Sequence, residues 1–170
     1  MRSMPKNCVL GGKNVYYQLN KYEITEILNM IDRKKLIVEH TIFPEDFLEL
    51  RKQVGFQMLS LKQAENVLRH TSYISVVLYM GKAVGMTRLL FDFCTDAYIT
   101  DVIVLPDYQG CGFGKILLED TISFIKENVI EGTKIACTLY ANKGKEEFYQ
   151  RFGFEVLPND KYGYGMILEF

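Results

Sequence analysis

The sequence predicts an α/β fold in a single domain spanning residues 1–170. Three observations carry that expectation. Segments with helical periodicity alternate with short β-branched and aromatic runs, and no linker, internal repeat or low-complexity stretch interrupts them. Two apolar runs, 73–79 and 83–91, are joined by Met80-Gly81-Lys82, which reads as a hairpin. Residues 101–118 read as a strand, a glycine-rich turn and a helix in immediate succession. At 170 residues the chain is long enough to bury a substantial core.

The elements follow in order. Residues 1–12 form a lead-in ending in Gly11-Gly12, and 15–19 are expected as a first strand. Ile24, Ile27, Leu28 and Ile31 fall at helical spacing and predict a helix over 21–34. Leu36-Ile37-Val38 reads as a short apolar connector. Pro44 suits the first position of a helix, with Glu45 and Asp46 at its positive end; Phe47, Leu48, Arg51 and Val54 continue it and Gly55 ends it. Ser60 and Gln63 form a capping box that opens the next helix through Leu61, Ala64 and Leu68. The hairpin strands come next, then a turn over 92–96 and a central strand over 98–104. The glycine turn and its helix run to about Asn128. A strand is expected at 134–140, a helix at 143–152 stopped by Gly153, and two last strands at 154–156 and 164–170.

Composition narrows the function classes. Hydrophobic residues make up 48% and charged residues 24%, as in ordinary globular proteins. A net charge of −1 gives no electrostatic case for a nucleic-acid partner. No apolar run approaches the ~20 residues of a membrane helix, and the N-terminus has no signal-peptide core, so a cytoplasmic location is expected. Cys8, Cys94, Cys111 and Cys137 are widely spaced without a C-x-x-C pair, which points to reduced thiols and no metal site.

The chemistry concentrates at 101–118. Asp101 to Val104 is a β-branched run ended by Pro106, and Gly110, Gly112 and Gly114 allow a ligand to approach the backbone closely. Turn amides and a helix N-terminus would face one point, which binds phosphate without a basic side chain. Spacing excludes two phosphate loops. The three glycines run G-x-G-x-G, one residue short of the dinucleotide fingerprint, and Gly114-Lys115 is followed by Ile116, where a P-loop needs Ser or Thr. What fits is Gln109-x-x-Gly112-x-Gly114. It resembles the pyrophosphate loop of the GCN5-related N-acetyltransferases, the GNAT superfamily.

A second motif lies downstream. Asn142, Phe148-Tyr149 and Gly153-Phe154 are similar to the GNAT pattern N-x-x-A-x-x-[LF]-Y-x-x-x-G-F, with Lys145 replacing the usual Ala. On a helix Asn142 and Tyr149 would face one side, seven residues or about two turns apart. The resemblance implies the GNAT fold: a mixed, mostly antiparallel sheet with helices on both faces, and a pantetheine arm lying between two splayed strands. It implies acetyl-CoA as cosubstrate and no metal. By the same resemblance the backbone of Val102, Ile103 and Val104 pairs with pantetheine and polarises the thioester carbonyl. The N–H groups of Gln109, Gly110, Cys111, Gly112, Phe113, Gly114 and Lys115 hold the pyrophosphate, and Asn142 bonds the pantetheine arm. Tyr149 lines the same cofactor site and is the expected general acid for the departing thiolate. Asp101 is the first candidate for general base, with Asp92 and Glu155 behind it; His40 and His70 read as surface or satisfied residues.

The acceptor is less specified. Segments 88–92, 53–56 and 158–166 resemble small-amine GNATs, and Phe43, Phe47, Phe56, Tyr162 and Tyr164 would wall an aromatic acceptor pocket. The expected function is acetyl transfer to a primary amine of a small molecule by direct attack. The alternatives are a protein or peptide acetyltransferase, an amino-sugar-phosphate acetyltransferase and a non-catalytic CoA-binding sensor. Relatives also imply a homodimer.

Overall fold

The computed structural model of the chain describes residues 32–168. The strand expected at 15–19 and nearly all of the helix expected at 21–34 lie outside them. Contacts divide the chain into two compact units, the first ending at Cys137 and the second beginning at Thr138.

In the first unit a 3₁₀ turn, Arg33–Lys35, is capped by Asp32, whose Oδ1 accepts the Lys34 N–H at 3.1 Å. Strand β1 follows at Leu36–Glu39. These residues, expected as a connector, form an edge strand because β2 offers them a partner: Leu36 stands opposite Tyr79 and Glu39 opposite Val76. An apolar run this short carries no readable period of its own. Helix α1, Pro44–Gln53, begins at the proline and has Glu45 and Asp46 in its first turn, as expected. Helix α2, Leu61–Arg69, opens on the capping box, with the Ser60 Oγ accepting the Gln63 N–H and the Gln63 side chain accepting the Ser60 N–H.

Strands β2 (Tyr73–Tyr79), β3 (Lys82–Phe91) and β4 (Asp96–Val104) form an antiparallel meander with β1. The turn between β3 and β4 is built by Asp92, whose Oδ1 accepts the N–H groups of Cys94, Thr95 and Asp96 at 2.8–3.0 Å. Helix α3, Phe113–Asn128, follows β4. Strand β5, Ala136–Leu139, lies next to β4 in the sheet order, and its Ala136 N–H donates to the Thr95 carbonyl at 2.8 Å.

Period-2 alternation puts Val76 and Val77 of β2 on opposite faces of the sheet, and a register shift against β2 that leaves Val84 without a partner puts Val84 and Met86 of β3 on opposite faces although they are two residues apart. Val76, Met86 and Ile103 pack with Phe47 and Leu50 of α1 and Ala64 of α2. Val77 and Val84 pack on the other face with Phe113 and Leu117 of α3. The sheet is therefore mostly antiparallel with helices on both faces.

In the second unit helix α4 is short, Glu146–Gln150, and Gly153 ends it in a left-handed conformation (φ 91°), its N–H donating to the Gln150 carbonyl. The strands expected at 154–156 and 164–170 are not formed among the described residues. Strand propensity expresses itself only where a neighbouring strand pairs, and here Val156, Tyr164, Met166, Ile167 and Leu168 all have exposed side chains.

Candidate functional site

The register of β3 on β4 breaks between Met86 and Arg88. Met86 faces Ile103 and Arg88 faces Thr100, so Asp101 and Val102 together oppose the single residue Thr87. That two-against-one arrangement is a β-bulge. Its first residue, Asp101, takes a left-handed φ of 46°, a conformation that aspartate tolerates better than most residues. The Leu105 N–H donates to the Val84 carbonyl at 2.9 Å, which fixes the alternation beyond the bulge. Ile103 and Leu105 turn their backbones to β3, whereas Val104 turns its N–H away from β3, to the side on which β5 lies. Val102, two residues earlier, shares that parity. Of the three strand amides expected to meet pantetheine, Ile103's is therefore taken by the sheet.

Gly85 explains how β3 and β4 lie so close here. A Cβ on Gly85 would fall 2.7 Å from the Ile103 carbonyl oxygen and 3.2 Å from a Leu117 methyl of α3. Only a residue without a side chain fits.

Past β4, Pro106–Tyr108 makes one 3₁₀ turn and the glycine segment turns into α3. Gly110 and Gly112 have φ of 81° and 86°, and Gly112 is the residue that caps the helix. The first amides of a helix have no partner within it, and among the described residues those of Phe113 and Gly114 meet no backbone acceptor. The outer members of the expected set are paired inside the turn. Gln109 N–H donates to Pro106 and Lys115 N–H donates to Gly112, at 3.2 and 3.1 Å. The Gln109 side chain donates to the Val104 carbonyl at 3.0 Å, tying the turn to the end of β4. The Cys111 side chain is buried, and its Sγ lies 3.7 Å from the Gln109 carbonyl.

The Asp101 carboxylate is buried between two arginines. Arg51 of α1 donates through Nη1 to Oδ1, and Arg88 of β3 donates through Nε to Oδ2 at 2.5 Å. Arg88 also donates to Thr71 at 2.8 Å, and Arg51 reaches the Gln57 carbonyl at 3.3 Å. The guanidinium of Arg51 lies over the rings of Phe47 and Phe56. Both Asp101 oxygens are held by cations, a different setting from the open carboxylate expected of a base. Arg51 was the partner that sequence reasoning missed. Its signal was position: it falls on the apolar stripe of α1, four residues after Phe47, where a free arginine has no reason to be.

In the second unit Tyr149 is buried, with its ring edge-on to Phe148 and Phe154 at centroid distances of 5.0 and 6.2 Å. Burial pushes its phenol above the ordinary range, so it stays protonated at neutral pH. Asn142 is exposed and lies outside the helix, because Gly144 (φ 83°) breaks the chain before Glu146. The seven-residue helical spacing expected between Asn142 and Tyr149 therefore does not apply.

The other expected residues take ordinary places. Asp92 caps its turn, and the N–H donors there lower its carboxyl to about 2. Glu155 accepts from Asn159 at 2.7 Å. His40 sits 3.4 Å from Asp120, which also accepts the Tyr73 hydroxyl, and the His70 ring bonds the Asn66 carbonyl. Burial raises the Cys137 thiol to about 11. Phe47 is wholly buried core and not an acceptor wall, Phe56 packs against that core, and Phe43, Tyr162 and Tyr164 are exposed. A cleft of about 600 Å³ beside α1 is lined by Phe43 and Tyr108 together with Glu39, Asp46 and Glu49. Among the described residues no helix is long and apolar enough to cross a membrane, and no cluster of metal-ligating side chains is present.

A bulged strand leading through a glycine turn into a helix, within a mostly antiparallel sheet covered on both faces, is the acyl-CoA N-acyltransferase architecture. The chain belongs to the acetyltransferase (GNAT) family, whose model matches residues 38–154 and so runs across both units. It is 30% identical over 115 residues to the uncharacterized N-acetyltransferase ycf52 of Porphyra purpurea, covering 65% of this chain and 64% of that protein. It is 39% identical over 77 residues to the histone acetyltransferase TAP1 of Glycine max, covering 45% of this chain and 32% of that protein. The chain thus spans less than two thirds of the length of these relatives. The crystal structure of SA2161 from meticillin-resistant Staphylococcus aureus superposes with a TM-score of 0.68 at 26% identity, covering 79% of this chain and 99% of that one.

Proposed function

We propose that this chain is an acetyl-CoA-dependent N-acetyltransferase that acts on a primary amine of a small molecule by direct attack. The observation that carries the reading is the pairing of a β4 bulge with an amide-bearing turn at the start of α3. Acetyl-CoA supplies the activated acetyl group as a thioester. The N–H groups of Gly112, Phe113 and Gly114 hold the pyrophosphate at the positive end of α3. Gly110 and Cys111 shape that turn. The amides of Val102 and Val104, which face away from β3, take the pantetheine arm and the thioester carbonyl, and Asn142 bonds the same arm.

The amine nitrogen forms a bond to the carbonyl carbon, and the oxygen becomes an oxyanion that one of these β4 amides stabilises. The carbon–sulfur bond then breaks. Tyr149 delivers a proton to the departing thiolate, and ordered water takes the proton lost by the amine. Asp101 holds the strand in shape in this reading and leaves base catalysis to water. A cytoplasmic location and a single domain of residues 1–170 belong to the same proposal.

A second reading has an observation in its favour. The cleft beside α1 combines three carboxylates and one lysine, Lys82, with two aromatic rings, and its excess of negative charge suits a cationic amine such as a lysine side chain. The likeness of 77 residues to a protein named as a histone acetyltransferase points the same way. Arg88, the cation that an amino-sugar-phosphate acceptor would need, is engaged by Asp101 and Thr71.

Isothermal titration tests the first step, with micromolar acetyl-CoA binding expected. Turnover against a panel of arylalkylamines, polyamines and lysine peptides then separates the two acceptors. No heat with acetyl-CoA or any other acyl-CoA would overturn the proposal.

A further inference from the structure

The Arg51–Asp101–Arg88 cluster is where three elements of the first unit converge on one strand. Asp101 is the first residue of the bulge and has a left-handed backbone. A non-glycine residue in that conformation is held there by its surroundings. Here the surroundings are specific. Arg88 arrives from β3, and it stands opposite Thr100 in register, so its guanidinium reaches along the strand to Asp101. Arg51 arrives from α1, braced by the rings of Phe47 and Phe56. Thr71 ties Arg88 to the end of α2, since its hydroxyl accepts from Arg88 and donates to the Val67 carbonyl. All three charged side chains are nearly inaccessible, with side-chain exposures of 13%, 5% and 11%.

We infer that this buried cluster is a positioning device: it clamps Asp101 and so fixes the bulge whose neighbouring amide points at the thioester carbonyl. The inference rests on the acetyltransferase reading above, and it assigns Asp101, Arg51 and Arg88 a role in geometry and not in proton transfer. The physical reason is directional. An oxyanion donor is useful only when it is aimed before the charge forms. A bulge left to itself can relax by moving its extra residue along the strand. A carboxylate gripped from two sides removes that freedom, because any slip would part a buried anion from its cations.

The readout is the bond that the amide polarises. Acetyl-CoA labelled with carbon-13 at the carbonyl is bound to the protein and its thioester band is recorded by difference infrared spectroscopy. In the native chain the band moves to lower wavenumber than in free acetyl-CoA. In Asp101→Asn that displacement is lost and kcat on the best amine of the panel falls by about 10²-fold, the scale of losing one oxyanion donor. The affinity for CoA itself falls far less than kcat, because the glycine turn keeps its hold on the pyrophosphate and only the pantetheine contact at Val102 is loosened. Should circular dichroism find Asp101→Asn unfolded, Arg51→Lys carries the test. It keeps the charge but loses the fork, and it reduces the displacement in part.

A variant that folds, keeps the full displacement and loses turnover would make Asp101 the base and overturn the clamp. A native chain that binds acetyl-CoA with an undisplaced band also overturns the clamp while leaving the acetyltransferase reading standing. A native chain that binds no acetyl-CoA overturns both.

Discussion

Arg88 and Asp101 meet across the β3–β4 bulge although they are not register partners: Arg88 stands opposite Thr100, yet its Nε lies 2.5 Å from Asp101 Oδ2. The carboxylate is shared with Arg51, so the cluster holds two cations and one anion. Removing the anion leaves two buried arginines facing one another, whereas removing Arg88 leaves a neutral pair. Asp101→Ala should therefore destabilise the fold by about 3–5 kcal/mol, the range for breaking a buried ion pair, and Arg88→Met by clearly less. Urea denaturation of the two variants measures the order. Equal losses would mean that the charges are screened by solvent.

Gly85 sets the distance between the same strands. An alanine methyl there would sit 2.7 Å from the Ile103 carbonyl, a backbone atom that can yield only by moving β4. Gly85→Ala should cost about 1–3 kcal/mol through overpacking. It should also weaken acetyl-CoA binding, because β4 carries the Val102 and Val104 amides. Thermal melting and titration of the variant check both effects together.

The proposed acid is tested by Tyr149→Phe. The ring contacts with Phe148 and Phe154 survive the change, so the fold should be kept. Turnover should drop by roughly 10²–10⁴-fold, the contribution of positioned acid catalysis, while acetyl-CoA affinity is unchanged. Unaltered turnover would assign that proton to water.

Asp92 gives a pH prediction of definite sign. Its folded-state carboxyl titrates at about 2, below the ordinary 3.8, because backbone N–H groups stabilise the anion. A depressed carboxyl stabilises the fold above its ordinary value, and the contribution is lost as pH falls through the folded one. The melting temperatures of the native chain and Asp92→Ala should differ at pH 6 and converge between about pH 4 and pH 2. A difference that persists unchanged at pH 2 would contradict the assignment.

Much of the first unit was legible in the sequence because its signals are local. The Ser60–Gln63 capping box, Pro44 at a helix start and the turn at Gly81 each act within a few residues. What escaped depends on partners distant in sequence. Residues 36–39 became a strand because β2 lies beside them, and 164–168 stayed irregular although their composition favours a strand. The role expected of Asp101 followed from its place on the central strand. What surrounds it depends on Arg51, fifty residues earlier, reaching it through the packing of α1. The bulge itself has no mark in the sequence, since it is a relation of register between β3 and β4.

In the proposed mechanism the β4 amides that face away from β3 and the turn at the start of α3 form one acetyl-CoA site. Titrating nitrogen-15-labelled protein with acetyl-CoA, and following the amide resonances, tests it most directly. Saturable shifts are expected at Val102, Val104, Gly112, Phe113 and Gly114 with a single dissociation constant. Shifts confined to other parts of the chain, or none at saturating acetyl-CoA, would contradict it.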